Sequence, residues 1–220
     1  MNIRKVVGIT LIASGVVVTS IAAWKVWGEN EWDSYKQTHS VTEYQPAPKP
    51  AIEGKKKFID PDKATALGDI FGKIYIPRLG KSWVRLVAQG VKWHPVLNEI
   101  GIGHYPSSAL PGEVGNFAVA GHRGGFGGAF LNIHRLKAGD HVYVETNQGW
   151  YSYVYLQTKI VKPDDLDVIS ASPKELKGHV KGERYMTLTS CTPVFVNTDR
   201  IIVWLKLDAT STLLEGPPIR

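Results

Sequence analysis

The chain has 220 residues, 43% hydrophobic and 21% charged, which suits one packed domain with extensions and excludes disorder throughout. Its formal net charge of +6 comes without an RNA- or DNA-binding motif, so attraction to an anionic cell envelope is preferred over a nucleic-acid partner. One cysteine, Cys191, excludes an intramolecular disulfide. With no HExxH spacing, P-loop or dinucleotide fingerprint either, neither a metal nor an organic cofactor is expected.

Arg4 and Lys5 precede an uncharged run from Val6 to Ala23, closed by Trp24, Lys25 and Trp27. A bilayer core takes roughly 17–25 apolar residues, and tryptophans favour its interface. Residues 1–27 therefore read as a cytoplasmic stub and a transmembrane anchor, with the basic end inside. A cleaved signal peptide ending near Ala22–Ala23 is the competing reading, but the run exceeds the usual ~7–15-residue signal core. Both readings export the remainder, so the expected location is the cell membrane, single-pass, with the following domain extracellular.

Residues 28–66 lose hydrophobic periodicity and carry the Pro-rich stretch 45–50 and the lysines at 55–57. They read as a solvated Pro/Lys-containing linker; a flexible coil of that length spans roughly 35 Å. A helix around Glu31–Tyr35 packed on the domain is the alternative for part of it.

From Leu67 to Asp208 short β-branched and aromatic runs alternate with Gly/Pro turns. They are Gly72–Ile76, Ser82–Val87, Asn116–Ala120, His141–Thr146, Trp150–Val161, Tyr185–Thr189 and Arg200–Leu207. This spacing predicts an all-β barrel or sandwich. Short helical turns are expected at Pro95–Ile100 and Phe130–Leu136, and Ser172–Leu176 resembles a helix start. The tail 209–220 is expected to be loosely ordered.

Cys191 ends a strand-like run just before Thr192-Pro193, where proline stops ladder pairing. An unpaired thiol outside the cell is a liability unless it is used. A free thiol of pKa ~8.5 is only a few per cent thiolate at neutral pH, so a nucleophilic role needs a basic neighbour. His122 follows an apolar run and opens the Gly-rich loop Gly121–Gly125; His104, His134 and His179 remain alternatives. An acyl-transfer oxyanion also needs a fixed cation. Arg200 begins a strand just downstream of Cys191, with Arg123 and Arg184 as rivals.

These residues resemble the sortase family. Thr187-Leu-Thr-Ser-Cys191 is similar to its TLxTC motif, with Ser190 where threonine is usual. Asn116–Arg123 resembles the strand and loop bearing the family's histidine, and Asp199–Val203 the strand bearing its arginine. Ile74–Gly80, Gly103–Pro106 and Gly149–Tyr151 look closest to class E, although a histidine commonly follows the cysteine there and Thr192 follows it here.

The resemblance implies a closed eight-stranded β-barrel with short helices, spanning 67–208. It implies a cysteine transpeptidase with His122, Cys191 and Arg200 as catalytic residues, and Tyr105 and Ser190 lining the substrate groove. The implied substrates are proteins with C-terminal LPxTG- or LAxTG-like sorting signals, cleaved after threonine. The implied acceptor is an amine of a peptidoglycan precursor or a pilin lysine. The rival readings are another cysteine acyltransferase of the cell wall and a non-catalytic wall-binding β-domain.

Overall fold

The computed structural model describes residues 3–46 and 56–218. Eight strands form one closed barrel: β1 (Ile70–Tyr75), β2 (Val84–Gln89), β3 (Gly101–His104), β4 (Gly115–Gly121), β5 (His141–Thr146), β6 (Gly149–Val161), β7 (Arg184–Thr192) and β8 (Asp199–Ser211). Around the barrel the order is β8-β6-β5-β1-β2-β3-β4-β7, closed by β7 against β8. Two neighbouring pairs, β2–β3 and β4–β7, are parallel. Closure leaves the barrel itself without an edge strand; Tyr44–Gln45 and Lys56–Lys57 form a separate two-stranded parallel sheet.

Alternation along each strand decides which side chains fill the barrel. Met186 and Leu188 of β7 point into the main core, as do Ile201, Val203 and Leu205 of β8 and Phe117 and Val119 of β4. The intervening residues of β8, Ile202 and Trp204, face outward into a second cluster with Val161, Val168 and Leu176. The same parity turns Thr187, Thr189 and Cys191 of β7 to the outside.

The seven sequence-predicted strands are present. The eighth, β3, has only four residues, two of them glycine. Gly103 is required there: a Cβ would lie 2.2 Å from the Gly90 carbonyl oxygen. Helical turns occur at Trp93–Ile100, two residues earlier at its start than the expected Pro95–Ile100, and at Ile133–Arg135, within the expected Phe130–Leu136. Ser172–Leu176 does not start a helix; it makes turns, closed by Leu176 N–H donating to the Pro173 carbonyl at 3.2 Å. A 3-10 turn lies just upstream instead, at Leu166–Ile169. In the tail, β8 continues to Ser211, and Glu215 accepts from the Thr212 N–H at 2.8 Å.

Helix α1 (Ile3–Ala23) has no buried residue and is long and apolar enough to cross a membrane. Its 21 residues span about 31 Å, the thickness of a bilayer core. A π-helical turn, Trp24–Gly28, carries it directly into α2 (Glu29–Ser40). The first part of the sequence-predicted linker is thus helical, and it is docked on the barrel. Buried Arg85 of β2 donates to Ser34 Oγ and Thr38 Oγ1, both at 2.9 Å. Val41 packs with Phe58 and Leu86. Most of the Pro-rich stretch, from 47 onward, lies outside the described residues.

Candidate active site

Strand register brings the candidate residues together. On β7–β8, Cys191 pairs directly with Arg200. The parallel pairing of β4 with β7 runs from Gly115–Arg184 to Ala120–Thr189. Carried two residues further, that register sets His122 level with Cys191. Two hydrogen bonds hold the extension: Ser190 Oγ donates to the Gly121 carbonyl at 2.7 Å, and Arg123 Nη1 donates to Thr192 Oγ1.

His122, Cys191 and Arg200 line one cleft of about 340 Å³ on the outer face of the barrel. Cys191 is half-buried and forms part of the cleft wall. Trp93, Tyr105 and Phe126 are among the other walls. A cleft of about 460 Å³ elsewhere is larger, but it is lined by Tyr75, Arg78, Asp140 and Trp150 and has no nucleophilic thiol. Among the described residues no group of ligating side chains could hold a metal ion.

The imidazole of His122 is held on several sides. Its Nε2 lies 2.8 Å from Asn98 Oδ1. Its ring sits 5.1 Å from the Phe126 ring and 6.2 Å, edge-on, from that of Trp93. Asn98 Nδ2 faces His94 Nε2 at 3.0 Å, which leaves Oδ1 as the acceptor for a proton on His122 Nε2. That bond directs the other ring nitrogen, Nδ1, away from Asn98 as the basic lone pair. Burial pushes the imidazole below its ordinary pKa and favours the neutral ring.

The guanidinium of Arg200 is steadied by the carbonyls of Asn197 and Asp199, at 3.2 and 3.0 Å. Of the rival arginines, Arg123 also lines the cleft, but its guanidinium is engaged by Thr192, the Leu131 carbonyl and His134. Arg184 opens β7, seven residues from Cys191 and thus roughly 23 Å along the strand.

The rival histidines also lie elsewhere. His104 is 1% exposed, inside the barrel wall against Gln89 and the Ala109 carbonyl. His134 is exposed and bonded to Arg123. His179 lies beyond the far end of β7, over Leu176.

Tyr105 lines the cleft, its hydroxyl 3.1 Å from Thr189 Oγ1. Ser190 also lines the cleft, although it is 4% exposed and its hydroxyl donates to the Gly121 carbonyl. The side chains that sequence reasoning did not single out are Asn98, Trp93 and Phe126, all touching His122. Asn98 has no sequence mark of any kind, whereas the aromatic Trp93 precedes a helical turn that was expected.

Residues 74–208 match the family model described as the sortase domain. The chain belongs to the sortase family. Sortases are cysteine transpeptidases, and they act on proteins bearing sorting signals. The chain is 30% identical to sortase SrtE2 of Streptomyces coelicolor, over 93% of its own length and 82% of that protein's. It is 28% identical to sortase SrtE1 of the same organism, covering 97% of this chain and 60% of SrtE1's length. The solved structure of sortase E from Streptomyces avermitilis superposes with a TM-score of 0.63 at 38% identity, covering 70% of this sortase and 97% of that chain.

Proposed function

We propose that this protein is a membrane-anchored, extracellular sortase that cleaves an LPxTG- or LAxTG-like signal after threonine. It would then transfer the new carboxyl end to an amine of a peptidoglycan precursor or to a pilin lysine. The observation that carries the reading is the placement of thiol, imidazole and guanidinium level with one another in one solvent-reachable cleft.

In this reading the neutral His122 ring takes the proton of the Cys191 thiol as the sulfur attacks the threonine carbonyl carbon, and the electron pair moves to the carbonyl oxygen. Arg200 holds that oxyanion, a fixed cation aimed where charge develops. The tetrahedral adduct collapses as protonated His122 gives its proton to the departing glycine nitrogen. The thioacyl intermediate is then attacked by the acceptor amine, whose proton returns to His122, and Cys191 leaves as the thiolate. Tyr105 would shape one wall of the peptide groove. Ser190 would keep the strand bearing His122 in register, given that its hydroxyl serves Gly121.

The anchor supports the same reading. Helix α1 would hold the barrel where membrane-held substrates and lipid-linked precursors meet, and high local concentration favours aminolysis over hydrolysis.

The test is mass spectrometry of the protein incubated with LPxTG and LAxTG peptides, with and without diamine or glycine acceptors. The expected result is an acyl adduct on Cys191, absent in Cys191→Ala, that an amine converts to a transpeptidation product. Cleavage unaffected by Cys191→Ala would refute the reading.

A further inference from the structure

The membrane-proximal helix reaches the candidate active site through one side chain. Gln37 of α2 is 1% exposed, and its amide nitrogen donates to two backbone carbonyls: Asn98 at 3.2 Å and Phe126 at 3.0 Å. Both N–H bonds that the amide can offer are thereby used. The two residues it grips are the ones whose side chains touch the His122 ring from two sides, Asn98 by hydrogen bond and Phe126 by ring contact.

The backbone is shaped to let Gln37 in. A Cβ at Gly101 or at Gly127 would lie 2.7 Å from Gln37 Oε1, and both glycines have positive φ. Phe126, one of the two gripped residues, is itself held at φ 46°, a conformation that a bulky residue adopts only under constraint. Two separate segments, the Trp93–Ile100 turn and the loop after His122, thus close on one amide from a third segment.

We propose that Gln37 and Asn98 form a positioning relay that makes α2 part of the catalytic apparatus. Gln37 fixes the two segments, and Asn98 fixes the tautomer and aim of His122. The inference rests on His122 being the acid–base group proposed above. Because α2 continues α1 without a break, the relay also ties the geometry of the histidine to the segment leaving the membrane helix.

The test is steady-state kinetics of the full chain in detergent with a sorting-signal peptide. The variants are His122→Ala, Asn98→Ala, Asn98→Asp, Gln37→Met and the Gln37→Met/Asn98→Ala pair. A misplaced catalytic group can cost up to about 100-fold in rate. Asn98→Ala is expected to lower kcat between about tenfold and that limit, with KM within about twofold. Gln37→Met is expected to lower kcat in the same way but less. The paired variant is expected to be little worse than Asn98→Ala alone, since one residue acts through the other. Asn98→Asp keeps an acceptor oxygen and is expected to recover most of the rate and to raise the NMR titration midpoint of His122.

An inactive His122→Ala beside normal kcat in Asn98→Ala and Gln37→Met would overturn the relay while leaving the proposed function standing. Losses that multiply in the pair, or that follow a fall in melting temperature, would also overturn it. Full turnover by His122→Ala would defeat the proposed function first and the relay with it. Should Asn98→Ala fail to fold, an unmoved His122 midpoint in Asn98→Asp overturns the inference.

Discussion

Arg200 stands directly opposite Cys191 across the β7–β8 ladder, with the loop 193–198 as the only chain between the two strands. Opposed residues on one face of an antiparallel pair have Cβ atoms about 4.5–5.5 Å apart, within reach of a long side chain. The pairing fixes where the guanidinium starts, and the carbonyls of Asn197 and Asp199 fix where it turns.

A fork-shaped cation held this way is not replaced by a point charge. Arg200→Lys is therefore expected to lose most of what Arg200→Ala loses, about 100-fold or more in kcat/KM. Both variants should keep the Cys191 thiol reactive toward iodoacetamide. Near-normal kcat/KM in Arg200→Lys would show that charge alone suffices and that the bonding geometry is incidental.

The His122 ring should titrate below the ordinary histidine value of about 6.5, because burial disfavours its cation. NMR titration of the resting protein is expected to give that lower midpoint. Trp93→Ala, which opens one side of the ring to water, should move the midpoint upward. A midpoint above 6.5 in the unaltered protein would mean that a negative partner, not burial, governs this group.

Much of this arrangement was legible in the sequence, and the misses share a cause. Strands β7 and β8 are long and rich in β-branched residues, and β4 is a short apolar run opening into a Gly-rich loop, so the order histidine, cysteine, arginine could be read before their convergence was known. Strand β3 was missed because Gly101 and Gly103 erase its alternation; backbone crowding, not side-chain pattern, decides it. Helix α2 was only partly seen for a related reason. Its docking face has helical spacing, Ser34, Gln37, Thr38 and then Val41, but three of the four are polar. A helix that docks by hydrogen bonds leaves no hydrophobic stripe.

That polar docking makes Arg85 the test of how α2 is held. Its guanidinium is buried, burial lowers its pKa, and it donates to Ser34, Thr38 and the Val84 carbonyl. Hydrogen bonds to a charged group contribute about 1.5–3 kcal/mol each and the cost of burying the cation offsets much of their sum, so Arg85→Ala is expected to destabilise the protein by roughly 2–4 kcal/mol. Hydrogen exchange should rise in Glu29–Ser40 before it rises in the barrel. Unchanged protection of α2 in a folded Arg85→Ala would show that Val41 and Gln37 suffice to hold it.

Acid stability should be governed in part by His104 rather than by the cleft. Burial lowers its pKa to about 4, outweighing the opposing pull of the Ala109 carbonyl. In the unfolded chain the ring titrates near 6.5, so between pH 6.5 and about 4 the unfolded state binds more protons. Folding stability contributed by the neutral ring is present above pH 6.5 and is lost as pH falls toward 4. The size of the loss is on the order of 3 kcal/mol. His104→Gln keeps a polar group beside Gln89 and removes the titration. Its melting temperature should be lower than that of the unaltered protein at pH 7.5 but should fall less steeply from pH 6.5 to 4.5. Equal slopes in the two proteins would place the acid sensitivity elsewhere.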